Sequence, residues 1–189
     1  MANTTLFIGN MWSFKTHNLI EELKANKRAG EKVYAIDSGL NTRNSERDLV
    51  VKCKDSEIKV DFLDFAEKDN IRQNIKSSTV VGFDEIHLYS QDSAWMELFF
   101  NTFIHAEKHC KEIFLCSLSP SFKGKQFKST MRIFPFCNKI VPSHSVKSCF
   151  LCSKNNPEFN MVRKGYESKG FVGDHYDVVC WKCYQEFNL

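Results

Sequence analysis

The chain lacks the features that would send it into a membrane or onto a nucleic acid. None of its apolar runs approaches the roughly 20 residues that span a bilayer. No basic segment followed by a long apolar stretch opens it, so no secretory leader is expected. It has no block of Lys or Arg. Its 26 basic and 23 acidic residues leave a formal net charge of +3, too mild to force binding to nucleic acid or a membrane surface. What is abundant is apolar: 42% hydrophobic residues with 17 Phe among 189, enough for a substantial core and too much for a disordered chain. One main domain with a small satellite module is expected, in a soluble, cytoplasmic protein.

One glycine is also missing, and its place matters most. Leu6-Phe7-Ile8-Gly9-Asn10-Met11-Trp12-Ser13-Phe14-Lys15-Thr16 reads as a buried strand, a turn, and Lys-Thr opening an amphipathic segment. That is the grammar of a phosphate-binding P-loop, G-x-x-x-x-G-K-[ST], with Phe14 in place of the second glycine. Backbone N–H groups from Gly9 to Ser13 and the start of the helix face an anion. Lys15 adds a mobile positive charge, and the Thr16 hydroxyl suits a magnesium ion. If position 14 needs φ > 0, a phenylalanine there costs about 1–3 kcal/mol or redirects the loop.

The helix is expected from Lys15 to about Ala29, with Leu19, Ile20 and Leu23 inward and Gly30 ending it. Val33-Tyr34-Ala35-Ile36 is the next strand, completing a right-handed βαβ unit with parallel strands. Asn41-Thr42-Arg43 follows, where open sheets bind ligands; Arg43 either faces a phosphate or is a solvated loop arginine. Asn44 to Asp55 reads as loop or edge structure, and Ile58 to Phe62 as one strand. Thr79-Val80-Val81-Gly82-Phe83 is a strand delivering Asp84-Glu85. A carboxylate there can hold magnesium beside a P-loop, and a second can orient or deprotonate a nucleophile; the bland alternative is a solvated turn. Ala94 to His109 is a helix whose stripe of Trp95, Met96, Phe99, Phe100, Phe103 and Ile104 looks wider than one sheet covers, hinting at self-association. Ile113 to Cys116 is another buried strand.

From Cys149 the character changes, which sets expected domains at 1–145 and 146–189. Cys149-Phe150-Leu151-Cys152 and Cys180-Trp181-Lys182-Cys183 are two C-x-x-C pairs. Without a secretory leader they point to tetrahedral structural Zn²⁺ rather than disulfides. The metal is expected to pin the base of a hairpin between Lys154 and Val179. Cys110, Cys116 and Cys137 read as packed thiols.

In this order and at this length, these motifs resemble the type II (cellular and poxvirus-like) thymidine kinases from Leu6 to Tyr184. Gly9 to Thr16 is similar to the family's G-P-M-F-S-G-K-[ST], Asn41-Thr42-Arg43 to its D-T-R, and Asp84-Glu85-Ile86-His87-Leu88-Tyr89 to its D-E-x-[QH]-F-F. Leu118 to Phe127 resembles L-D-G-T-F-x-x-x-x-F, with Ser119-Pro120 replacing Asp-Gly. The resemblance implies an α/β fold, a P-loop-type parallel sheet flanked by helices with a C-terminal zinc-ribbon lasso. It implies Mg²⁺-dependent transfer of the ATP γ-phosphoryl group to the 5′-hydroxyl of thymidine, in salvage for DNA synthesis. Glu85 becomes the general base. Lys15 and Arg43 neutralise phosphate, with Asn41, Thr42 and His87 beside the nucleotide, and Thr16 and Asp84 hold the metal. Phe122 stacks on thymine, and Gly170-Phe171-Val172 with Tyr176 read the base. A homotetramer or homodimer and feedback by dTTP are further implied. Two other readings stay open: a catalytically weak nucleotide-binding scaffold, motivated by Phe14, and a zinc-ribbon nucleic-acid-binding protein.

Overall fold

The computed structural model describes residues 1–40, 50–53, 56–163 and 175–188, the side chains of 50–53, 56 and 188 excepted. Its centre is a parallel sheet of six strands: β1 (Asn3–Gly9), β2 (Val33–Asp37), β5 (Asp61–Phe62), β6 (Val80–Phe83), β7 (Glu112–Leu118) and β8 (Lys139–Ser143). Their spatial order is β5-β2-β6-β7-β1-β8. β6 and β7 are buried along nearly their whole length and mostly apolar, because both sheet faces are covered. On one face lies α1 (Lys15–Arg28), which drives Leu19 and Leu23 against Phe7, Ala35 and Phe114. Gly82 permits this approach: a Cβ there would sit 2.6 Å from Leu23 Cδ1. On the other face lie α2 (Lys68–Lys76) and α3 (Ser93–His109), packing Ile71, Ile75, Phe99 and Phe103 onto Val81, Phe83 and Leu115. Asp92 caps α3 by accepting the N–H groups of Ala94 and Trp95.

Every strand of the sheet runs the same way, so the residues that follow them emerge on one edge. There Gly9 registers with Leu118 and Ser143, and a Cβ on Gly9 would lie 2.1 Å from the Ser143 carbonyl oxygen. Only glycine fits where β8 closes on the start of the loop.

Two expectations change, and one strand is new. The stretch from Ile58 to Phe62 is not one strand. β4 (Ser56–Lys59) pairs antiparallel with β3 (Val50–Cys53), inside the segment expected as loop or edge, and β5 separately joins the main sheet. The aromatic stripe of α3 is largely covered within the chain: Trp95 meets Phe65 at 4.8 Å, Phe100 meets Phe136 at 5.9 Å, and the Arg132 guanidinium lies 3.8 Å over Phe100. Its width therefore does not argue for self-association. The new strand is β8, which sequence periodicity did not reveal.

Beyond the main sheet, β9 (Phe159–Val162) and β10 (Tyr176–Val179) form an antiparallel hairpin followed by α4 (Trp181–Asn188). Cys149, Cys180 and Cys183 are part of this unit's small core, with Met161, Val179 and Tyr184. Among the described residues no helix is long and apolar enough to cross a membrane.

Candidate active site

The loop after β1 carries the chain from Gly9 to the start of α1. Trp12 and Phe14 both have positive φ (61° and 56°), and Phe14 is the N-cap of α1 without a side-chain cap. Position 14 therefore does use the left-handed conformation that a glycine would supply freely, and Phe14 holds it at the strain anticipated above. Replacing Phe14 by Gly should raise the melting temperature by about 2–4 °C, the effect of ~1 kcal/mol in a domain this size after the added chain entropy is subtracted. An unchanged or lower melting temperature in calorimetry would show the loop to be unstrained. Ser13 donates its hydroxyl to the Asn10 carbonyl at 2.8 Å, and Lys15 Nζ reaches the same carbonyl at 2.6 Å and Ser13 Oγ at 3.1 Å.

Across the edge, β6 delivers Asp84 and Glu85. Thr16 donates its hydroxyl to Asp84 Oδ1 at 3.3 Å, tying the first turn of α1 to the end of β6. Asp84 is buried, and burial together with the charges of Glu85 and Asp37 pushes its carboxyl up to about 8. Asp37, at the end of β2, is pushed up to about 6 by burial, with Glu85 adding to it. Thr16 and Asp84 offer hard oxygen donors, and the crowded, desolvated carboxylates need a compensating positive charge. That donor set fits magnesium.

The same crowding sets a pH dependence. In metal-free protein the folded state keeps protons on Asp84 and Asp37 that unfolded carboxyls release near pH 4, so stability should fall as pH rises from about 5 to about 8. Magnesium with nucleotide should flatten that slope. A melting temperature rising over this range without metal would contradict the arrangement.

Glu85 sits in the left-handed region (φ 52°) and donates its backbone N–H to Asp84 Oδ1 at 2.8 Å. Its carboxylate lies 3.3 Å from His87 Nδ1 and is partly exposed. His87 is buried, packs on Phe127 at 5.0 Å, and its Nδ1 accepts the Leu118 N–H at 3.3 Å.

The four ribbon cysteines converge. Their Sγ atoms lie within 4.8 Å of one another, with Cys152 and Cys180 at 3.7 Å, near the ~3.8 Å edge of a tetrahedron with 2.3 Å Zn–S bonds. Against desolvation, N–H groups led by that of Cys180 hold the Cys149 thiol down to about 6. The hydrogen bond its own S–H can donate to Cys152, together with burial, pushes the Cys183 thiol well up. Thiolate crowding of this kind suits a divalent soft-acid cation, and the set fits zinc. Phe122 and Tyr176 face each other at 6.1 Å, and Tyr184 donates its hydroxyl to the Phe122 carbonyl at 3.0 Å.

The structure thus brings together Gly9 to Thr16, Asp84, Glu85 and His87 on one edge, and Cys149, Cys152, Cys180 and Cys183 in one cluster. Asn41, Thr42, Arg43, Gly170, Phe171 and Val172 lie outside the described residues. Two site residues escaped the sequence reading. Asp37 ends a strand in an ordinary way, and only the fold shows its burial beside Asp84. Asn160 is fully buried and bonded to the phosphate loop across 149 positions of chain, which no local pattern signals.

A family model described as thymidine kinase matches residues 2–184. Among curated relatives, the thymidine kinase of African swine fever virus (strain Badajoz 1971) is 31% identical over 185 residues, 95% of this chain and 87% of its own. That of Choristoneura biennis entomopoxvirus is 27% identical over 188 residues, covering 97% and 96%. Among solved structures, AMPPCP-bound DnaA from Aquifex aeolicus aligns with a TM-score of 0.51 at 16% identity, over 76% of this chain and 41% of that one. This last likeness is one of fold alone.

Proposed function

The chain belongs to the thymidine kinase family, and on that premise we propose that it transfers the γ-phosphoryl group of ATP to the 5′-hydroxyl of thymidine. The observation that carries the reading is the junction of the phosphate loop with the Asp84-Glu85 strand end through Thr16, at 3.3 Å. In this reading the backbone from Gly9 to Ser13 cradles the outer phosphates and Lys15 turns from its loop carbonyl to them. Thr16 and Asp84 hold magnesium, which supplies charge neutralisation for the phosphoryl group. Glu85 takes the 5′-hydroxyl proton as the new O–P bond forms and the bond to the β-phosphate bridging oxygen breaks, leaving ADP. His87, with its Nδ1 3.3 Å from the Glu85 carboxylate, keeps the place beside the nucleotide that the family resemblance gives it. Phe122 and Tyr176 flank the base. Arg43 and Gly170-Phe171-Val172 keep their roles from the family resemblance, as do a homotetramer or homodimer, dTTP feedback and a place in DNA-precursor salvage. The division at 1–145 and 146–189 remains part of the proposal.

Zinc-loaded protein given radiolabelled ATP, Mg²⁺ and thymidine should yield labelled thymidine monophosphate, and none from 5′-deoxythymidine. No label from thymidine would overturn the proposal. The left-handed Phe14 favours one second reading, a catalytically weak nucleotide-binding scaffold. It requires Phe14→Gly to create activity, and loses if the wild type is already as fast.

A further inference from the structure

The phosphate loop does not stand on its own strand and helix alone. It is bonded at three successive residues to the segment that carries the cysteine cluster. Asn10 Nδ2 donates to the Pro157 carbonyl at 2.6 Å, the Met11 N–H donates to Asn160 Oδ1 at 2.8 Å, and the Trp12 carbonyl accepts the Val146 N–H at 3.0 Å. Lys147 adds its ammonium 3.5 Å over the Trp12 ring. The central bond comes from Asn160, whose side chain has no exposure. Its other end, Nδ2, donates to the Pro120 carbonyl at 2.6 Å, in the loop that leads to Phe122. The amide orientation is fixed by its partners: a flipped carboxamide would set donor against donor and acceptor against acceptor.

Asn160 is on β9, paired with Val178 of β10. Two residues beyond Val178 the chain reaches Cys180, while Phe150, inside the first cysteine pair, donates its N–H to the Val178 carbonyl at 2.9 Å. A continuous line of bonds therefore runs from the cysteine cluster through the hairpin to one carboxamide. That carboxamide holds both the ATP-phosphate loop and the nucleoside loop. A buried amide is costly to place unless fully bonded, and a loop carrying two positive-φ residues needs outside support to keep its shape.

We propose that Asn160 is a positioning residue that couples the ribbon hairpin to the phosphate loop, so that ATP affinity depends on a subdomain that does not touch ATP. This rests on the reading of Gly9 to Thr16 as the ATP-phosphate site. The ribbon then acts on both substrates: as a cover for the nucleoside and as a brace for the nucleotide.

The test compares wild type with Asn160→Ala, measuring zinc content, melting, ATP affinity by calorimetry without thymidine, and hydrogen exchange of the Met11 amide. The variant should keep one zinc per chain and a single melting transition. It should bind ATP about tenfold more weakly, with Met11 exchange faster by a similar factor. Asn160→Asp, which keeps an acceptor for the Met11 N–H, should restore the Met11 protection. A purely structural role would lower the melting temperature and leave ATP affinity within twofold, which overturns the proposal. If neither variant folds, the wild type decides. Zinc chelation under native conditions must raise exchange in residues 9–14 together with 159–162, and freeing the hairpin alone overturns the coupling. Wild type that binds ATP but phosphorylates no thymidine sinks the functional reading and leaves the coupling standing. An active wild type with an Asn160→Ala variant of unchanged ATP affinity does the reverse.

Discussion

Replacing Glu85 by Gln should lower kcat for thymidine phosphorylation by about 10²–10⁴-fold, the usual contribution of a positioned general base, while the KM for thymidine changes less than about threefold. Gln has the shape of Glu and can still lie beside His87 and keep the backbone turn whose N–H bonds Asp84. It cannot take a proton. The effect is large because no other described carboxylate is placed to substitute: Asp84 is buried beneath Thr16, and Asp37 is buried behind it. Steady-state kinetics of the purified variant check this. A kcat within twofold of wild type would return Glu85 to the role of a solvated turn residue.

Stripping zinc, or replacing Cys180 by Ser, should abolish activity at low substrate concentrations and unfold the C-terminal unit. A two-stranded sheet has little stability alone, and here three of the four cysteines form part of the only apolar cluster that backs the hairpin among the described residues. Structural zinc in such ribbons contributes about 10–16 kcal/mol of binding free energy that is also folding free energy. The Arg163 guanidinium forks onto Asp177 at 2.9 and 3.1 Å across the hairpin, but an ion pair that is half exposed adds only about 1 kcal/mol or less. It cannot replace the metal. Metal analysis alongside activity and far-UV dichroism checks the outcome. Metal-free protein with native spectra and full activity would contradict it.

Which parts of this design were legible in the sequence follows from which forces are local. β1, α1 and β2 are written in short-range periodicity, and the structure places α1 at Lys15–Arg28, one residue short of the expected end. The cysteine cluster was legible because its spacing is a coordination geometry. The motif fault at Phe14 was legible as a strain, since a P-loop glycine has a conformational purpose, and the φ of 56° is its expression. β8 was not legible: it is an edge strand, half exposed, with Pro142 inside it, so neither alternation nor an apolar run marks it. α2 has only Ile71 and Ile75 buried, too few to declare a period. The break at Val60, where the strand leaves one sheet and enters another, is decided by pairing partners rather than by composition. Asp37 and Asn160 depend on contacts made across the fold, and their chemistry appears only once the strands are aligned.

The central claim is that the Lys15 end of α1 and the Asp84-Glu85 corner enclose one phosphoryl-transfer site. A crystal structure of the zinc-loaded protein with Mg²⁺ and a bisubstrate analogue, adenosine joined to thymidine through a polyphosphate, tests it most directly. The account predicts phosphates along the backbone from Gly9 to Thr16, magnesium between Thr16 and Asp84, and the thymidine 5′ oxygen within about 3.2 Å of the Glu85 carboxylate. A thymidine moiety bound away from Glu85, with the phosphates off the loop, would contradict it.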